Sequence, residues 1–151
     1  MSLQVRLMED MKQAMKEKEA GKLRLSVIRM VRASIKYAEI DKKRELTDEE
    51  VLEVLAREVK MRRDAMEEFK KAGRDDLVHA AQDEIAILSA YLPKQLDESE
   101  IRQLVSTVIA EAGAVTEKDL GKVMSALMPK VKGRSDGKLV NTIVREELAK
   151  Q

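Results

Sequence analysis

The chain has 151 residues, a formal net charge of +1, 44% hydrophobic and 38% charged residues, and no cysteine. Without cysteine there are no disulfides, no thiolate catalysis and no Cys-ligated zinc, and no apolar run approaches the ~20 residues needed to span a bilayer. Glu9 and Asp10 interrupt any basic-then-apolar leader pattern, so the sequence predicts a cytoplasmic protein with no membrane partner.

Leu3 to Lys18 reads as a first helix, with Leu3, Leu7, Met8, Met11, Ala14 and Met15 on one face, Ser2 as its cap and Gly21 as its stop. A second spans Leu23 to Asp41, with Val27, Ile28, Val31, Ile35 and Ala38 on the apolar side and Arg29, Arg32, Lys36 and Glu39 opposite. Thr47-Asp-Glu-Glu50 is a capping box that opens a third helix running to Ala72, where Gly73 follows. Asp75 or Asp76 starts a fourth, which lasts to about Leu92 because Pro93 forbids continuation.

Pro93 to Asp97 reads as a linker. Three shorter helices follow it. Asp97-Glu-Ser-Glu100 opens the fifth, which Gly113 ends; Thr116-Glu-Lys-Asp119 opens the sixth, with Pro129 beyond its end; Asp136 caps the seventh. No segment alternates with period 2, so no strand is expected. The expected architecture is all-α: a domain of four longer helices over residues 1–93 and a small three-helix domain over 97–151. Met8, Met11, Met15, Met66 and Met124 are expected to fill core gaps.

The catalytic inventory is thin. His79 is the sole histidine and sits on a polar face, the serines lack a nucleophile-elbow context, and there is no Walker loop and no G-x-G-x-x-G. Neither a cofactor nor a metal site is expected. Two features stand out. By helical phase, Glu58 and Arg62 fall inside the stripe of Val51, Leu55, Val59, Met66 and Phe69; Glu84 falls inside that of Leu77, Ala81, Leu88 and Tyr91; Arg24 falls beside Ile28, Val31 and Ile35. Burying these ions unpaired is costly, so the pattern predicts a paired cluster that fixes helix register, with a pocket for a polar ligand as the alternative. The second feature is Lys122 to Arg145, where Lys122, Lys130, Lys132, Arg134, Lys138 and Arg145 face Asp136 alone, a net +5 against +1 for the whole chain. On this reading the positive charge gathers near one end, in a loop turned by Gly133 and Gly137 that suits an anionic partner. With only Tyr37, Phe69 and Tyr91 as aromatics, a nucleic acid would be held by phosphate and shape, not by stacked bases.

The run Gly121-Lys-Val-Met-Ser-Ala-Leu-Met-Pro-Lys-Val-Lys-Gly-Arg-Ser-Asp-Gly-Lys138 resembles the signature of the YqeY family. The likeness continues in Leu23-Arg-Leu-Ser-Val-Ile-Arg-Met30, Glu68-Phe-Lys-Lys-Ala-Gly-Arg-Asp-Asp-Leu77 and Ile87-Leu-Ser-Ala-Tyr-Leu-Pro-Lys-Gln-Leu96. The C-terminal half is similar to the tail domain of GatB, a component of the tRNA-dependent amidotransferases. That similarity implies a tRNA partner, an aminoacyl-tRNA enzyme or amidotransferase nearby, and RNA contacts at the matching Lys122, Lys130, Lys132, Arg134 and Lys138. GatB carries its chemistry in a larger upstream domain, so a carbon–nitrogen ligase activity would attach to this chain by similarity alone. The reading is a non-catalytic tRNA-directed module; a helical adaptor for a protein partner is the alternative.

Overall fold

The computed structural model describes residues 1–151 and contains helices and turns only. The chain divides into two compact units, Met1–Leu92 and Pro93–Gln151.

The first unit comprises α1 (Leu3–Lys16), α2 (Lys22–Lys42), α3 (Asp48–Lys71) and α4 (Asp75–Ser89). Leu7 of α1, Ile28 and Val31 of α2, Leu55 and Val59 of α3 and Leu88 of α4 form its core. α1 stops at Lys16, short of the predicted Lys18, because Lys18 takes a left-handed φ of 52° and the chain tightens into a 3-10 turn over Lys18–Gly21. Gly21 is buried, and a Cβ there would lie 2.2 Å from the main-chain oxygen of Ala14. Its task is therefore close approach of two backbones, not the helix stop the sequence suggested. Thr47 and Glu50 cap α3 reciprocally. Glu50 also accepts from Arg44 at 2.7 Å and from Lys42, which fastens the α2–α3 turn and holds its carboxyl well below the usual range. α4 ends at Ser89, and the three residues beyond it make tight turns before Pro93.

The second unit comprises α5 (Glu98–Ala112), α6 (Leu120–Val131) and α7 (Gly137–Ala149), with a 3-10 turn over Glu117–Asp119 ahead of α6. Ile101, Val105, Val123, Leu127, Val140 and Ile143 are fully buried at its centre. Arg102 of α5 clasps Glu98 together with Glu146 and Glu147 of α7, at 2.8, 2.7 and 3.0 Å. Pro129 lies inside α6, where the sequence placed it after the end. It removes one N–H close to the terminus, and Lys132 N still donates to Met128 O at 2.9 Å to close the final turn.

The methionines follow the expectation in part: Met11 and Met124, half-buried, pack against the two cores, while Met66 is half-buried and Met8 and Met15 are exposed. Branched residues at neighbouring phases take the core positions instead, and the flexible thioethers border it.

Candidate functional site

The basic segment begins in the first turn of α6 with Lys122, reaches the last turn with Lys130, passes Lys132, Gly133 and Arg134, and enters α7 at Lys138. Lys122, Lys130, Lys132 and Lys138 are exposed and Arg134 is half-buried. Gly133 takes φ +75°, which lets the chain reverse after α6. Lys130 stands 3.9 Å from Glu111, a solvent-exposed pair of small energetic weight.

This loop is braced from within its own unit. Leu96 N donates to Arg134 O at 2.7 Å, and Gln95 Nε2 donates to Gly133 O at 2.9 Å and to Pro93 O at 2.8 Å. Arg134 Nε reaches back to Lys94 O at 3.4 Å. The segment read from sequence as a bare linker is thus a splint for the basic loop. It also brings the Lys94 main chain against the loop, a residue that sequence reasoning missed; the Lys94 side chain is 82% exposed and stands 3.8 Å from Glu100. Charge alone could not have found it, because Lys94 is some forty residues from Arg134 along the chain. The Pro93-Lys-Gln-Leu96 run within the family-like motif was the available signal.

The helix end beside the loop is already occupied. Asp136 Oδ1 accepts from Lys138 N at 3.1 Å and so caps α7 with its own carboxylate. An incoming phosphate would meet that negative charge, so cationic side chains, not the helix terminus, are what the loop offers an anion. At the other end of α6, Asp119 accepts from Val115 N at 2.9 Å and Thr116 N at 3.3 Å, and these donors lower its carboxyl pKa.

In the first unit, Glu58 and Arg62 are each 8% exposed. Arg62 Nη1 donates to Glu58 Oε2 at 2.7 Å and to Glu58 O at 3.1 Å, while Ser34 Oγ donates to Glu58 Oε1 at 3.1 Å. Glu84 is half-buried, with its carboxylate 3.7 Å from Arg62 Nε, within ion-pair range but beyond a hydrogen bond. Arg62 Nε itself is buried without a hydrogen-bond partner. Arg24 stands apart from these three: it pairs with Glu17 at 2.8 Å, half-exposed, and lowers that carboxyl. The reason is geometric. The 3-10 turn brings Glu17 back beside the start of α2, a contact that helical phase could not reveal.

Positive charge is not confined to the C-terminal end. α2 carries Lys22, Arg24, Arg29, Arg32, Lys36 and Lys42 against Glu39 and Asp41. Its apolar and polar faces were legible in the sequence, but its net charge was overlooked there. His79 is exposed on α4.

All-helical architecture and the splinted basic loop together describe a helical module with a cationic surface. The family model for Yqey-like protein matches residues 4–148, and the chain belongs to the YqeY family. Among its relatives is "Altered inheritance of mitochondria protein 41, mitochondrial" of Pyrenophora tritici-repentis, 32% identical over 144 residues, covering 93% of this chain and 78% of that protein. Proteins of the same name from Kluyveromyces lactis and Lachancea thermotolerans are 43% identical over 86 residues and 36% over 108. Those matches cover 56% and 70% of this chain, and 45% and 57% of the relatives. The names overturn the cytoplasmic location expected from the sequence, since these relatives are mitochondrial proteins by name. The expectation leaned on the lack of a spanning segment and of a basic-then-apolar leader pattern, and neither property distinguishes the two compartments.

Proposed function

We propose that this chain is a non-catalytic, tRNA-directed binding module, working beside an aminoacyl-tRNA enzyme or amidotransferase. The observation that carries this reading is the splinted loop. Lys130, Lys132, Arg134 and Lys138 lie on or beside a turn held by Gln95, Leu96 and the Lys94 carbonyl. A cationic loop held by hydrogen bonds loses less conformational freedom on binding than a mobile one. The similarity of this half to the GatB tail domain supports tRNA as the anion. All three aromatics, Tyr37, Phe69 and Tyr91, lie outside the C-terminal unit, so that unit has no ring on which to stack a base. Recognition then rests on phosphates and the fold of the RNA. The relatives' names make the organellar tRNA pool the first to be tried.

The test compares a folded tRNA with an unstructured oligouridylate of equal length at one salt concentration. Tighter binding of the folded RNA supports the reading, and equal binding refutes it. A helical protein adaptor is the second reading. It is favoured by Met30, Tyr37, Ile40 and Met61, which are 48%, 76%, 64% and 57% exposed on the first unit.

A further inference from the structure

The geometry points to a binding site for a small amphiphilic monoanion, a carboxylate on a short apolar body, between α1 and α2 of the first unit. A cavity of about 320 Å3 opens there. Its floor is apolar, with Leu7 and Ile35 buried beneath it and Met8 at its edge. Arg32 and Lys36, one turn apart on α2, line the same cavity.

Arg32 is the unusual member. The residue is half-buried, and its one side-chain hydrogen bond in the protein runs from Nη1 to the Sδ of Met11, at 3.0 Å. A thioether is a weak acceptor. Neither Arg32 nor Lys36 forms an ion pair, although several other cations of this unit do, among them Arg24, Lys42, Arg44, Lys60, Arg62 and Arg74. A guanidinium presents five donors in a planar fork that matches a carboxylate. This one is part-buried and has only a poor partner within the protein, next to a second cation and above hydrocarbon.

Glu39 sets the charge the site accepts. It also lines the cavity, but Gln4 Nε2 at 3.1 Å and Leu46 N at 2.9 Å already donate to its Oε2. It stays as a fixed negative charge at one end, which opposes a dianion and leaves the head group to the Arg32 and Lys36 side. Octanoate, one carboxylate on a short apolar body, represents this ligand class. A nucleic-acid phosphodiester has no apolar body to cover the floor, so the site is distinct from the basic loop and stands whether or not that loop binds RNA.

The experiment is a titration of the full chain, followed by nitrogen-15 NMR of the Arg32 Nε–H and the Gln4 side-chain amide. The probes are octanoate, acetate, octyl phosphate and octylammonium. Octanoate should shift both resonances and bind at least about tenfold more tightly than acetate, because only it covers the floor. Octyl phosphate should bind more weakly than octanoate, and octylammonium should leave both resonances in place. Arg32→Gln should weaken octanoate about tenfold, as expected for a lost charge-assisted hydrogen bond. Lys36→Gln should have the same sign and a smaller effect, and it carries the charge test if Arg32→Gln fails to fold. Equal shifts from octanoate and octylammonium would overturn the proposal, as would an undiminished affinity in the charge variants. So would the absence of any shift with octanoate below its micelle limit.

Discussion

Arg62 holds Glu58 twice, at 2.7 Å through the carboxylate and at 3.1 Å through the main-chain carbonyl one helical turn earlier. Both residues are 8% exposed. The pair therefore sits where solvent screening is weak and the loss of one partner strands the other. Arg62→Ala should destabilise the first unit by about 3 kcal/mol. Chemical denaturation followed by near-UV tyrosine dichroism isolates that unit, because Tyr37 and Tyr91 both lie within Met1–Leu92. A loss below about 0.5 kcal/mol would mark the pair as effectively solvated.

Tyr91 links the end of α4 to α1. Its ring is 7% exposed, its hydroxyl donates to the Asp10 carboxylate, and the Arg6 guanidinium lies 4.6 Å from the ring centroid. Burial first, and then the hydrogen bond to Asp10 and the Asp10 charge, raise the phenol above its ordinary value of 10.0. Above about pH 10 the unfolded chain loses this proton while the folded chain keeps it, so stability falls as pH rises. The slope from this one group is at most about 1.4 kcal/mol per pH unit. Denaturation midpoints measured from pH 8 to 11 should decline in the parent and decline less steeply in Tyr91→Phe. Parallel curves would show that the phenol does not contribute.

Gly21 and Gly137 make a matched pair for substitution. Neither has a left-handed φ, yet a Cβ at Gly21 meets the Ala14 main-chain oxygen at 2.2 Å, while one at Gly137 meets nothing within 4 Å. Gly21→Ala should force α1 away from the 3-10 turn and destabilise the first unit by roughly 2 kcal/mol, in the range for overpacking. Gly137→Ala, in the first turn of α7, should be neutral or slightly stabilising. Thermal melts of the two variants check this, and a harmless Gly21→Ala would contradict the close approach.

The helices were legible because their signals are local. The reciprocal caps at Thr47 and Asp97, the left-handed Gly113 and the 3.6-residue spacing of Val51, Leu55 and Val59 all act within one or two turns. What escaped the sequence depends on contacts between distant segments. Gly21 carries no mark that it faces Ala14, and Arg24 none that the chain folds Glu17 back to it. The Gln95 and Leu96 splint under the basic loop is likewise a pairing of sequence-remote residues, through the Gln95 side-chain amide and the Leu96 backbone N–H. The methionine expectation failed at Met8 and Met15 for a related reason. Met8 and Met15 lie at the border of an apolar stripe, and only packing decides which border residues are covered.

The most direct measurement of the tRNA reading is a salt titration of tRNA affinity for the parent and for a Lys130→Ala, Lys132→Ala, Lys138→Ala variant. Arg134 is left in place because its main chain and side chain both contact the Lys94–Leu96 splint. Cations that meet phosphates release counterions, so the logarithm of affinity falls linearly with that of salt, with a slope close to the number of contacts. The variant should bind tRNA more weakly at low salt, with a slope shallower by roughly 2, and its melting temperature should stay near the parent's. Equal affinities and equal slopes for parent and variant would contradict the account and leave the protein-adaptor reading in its place.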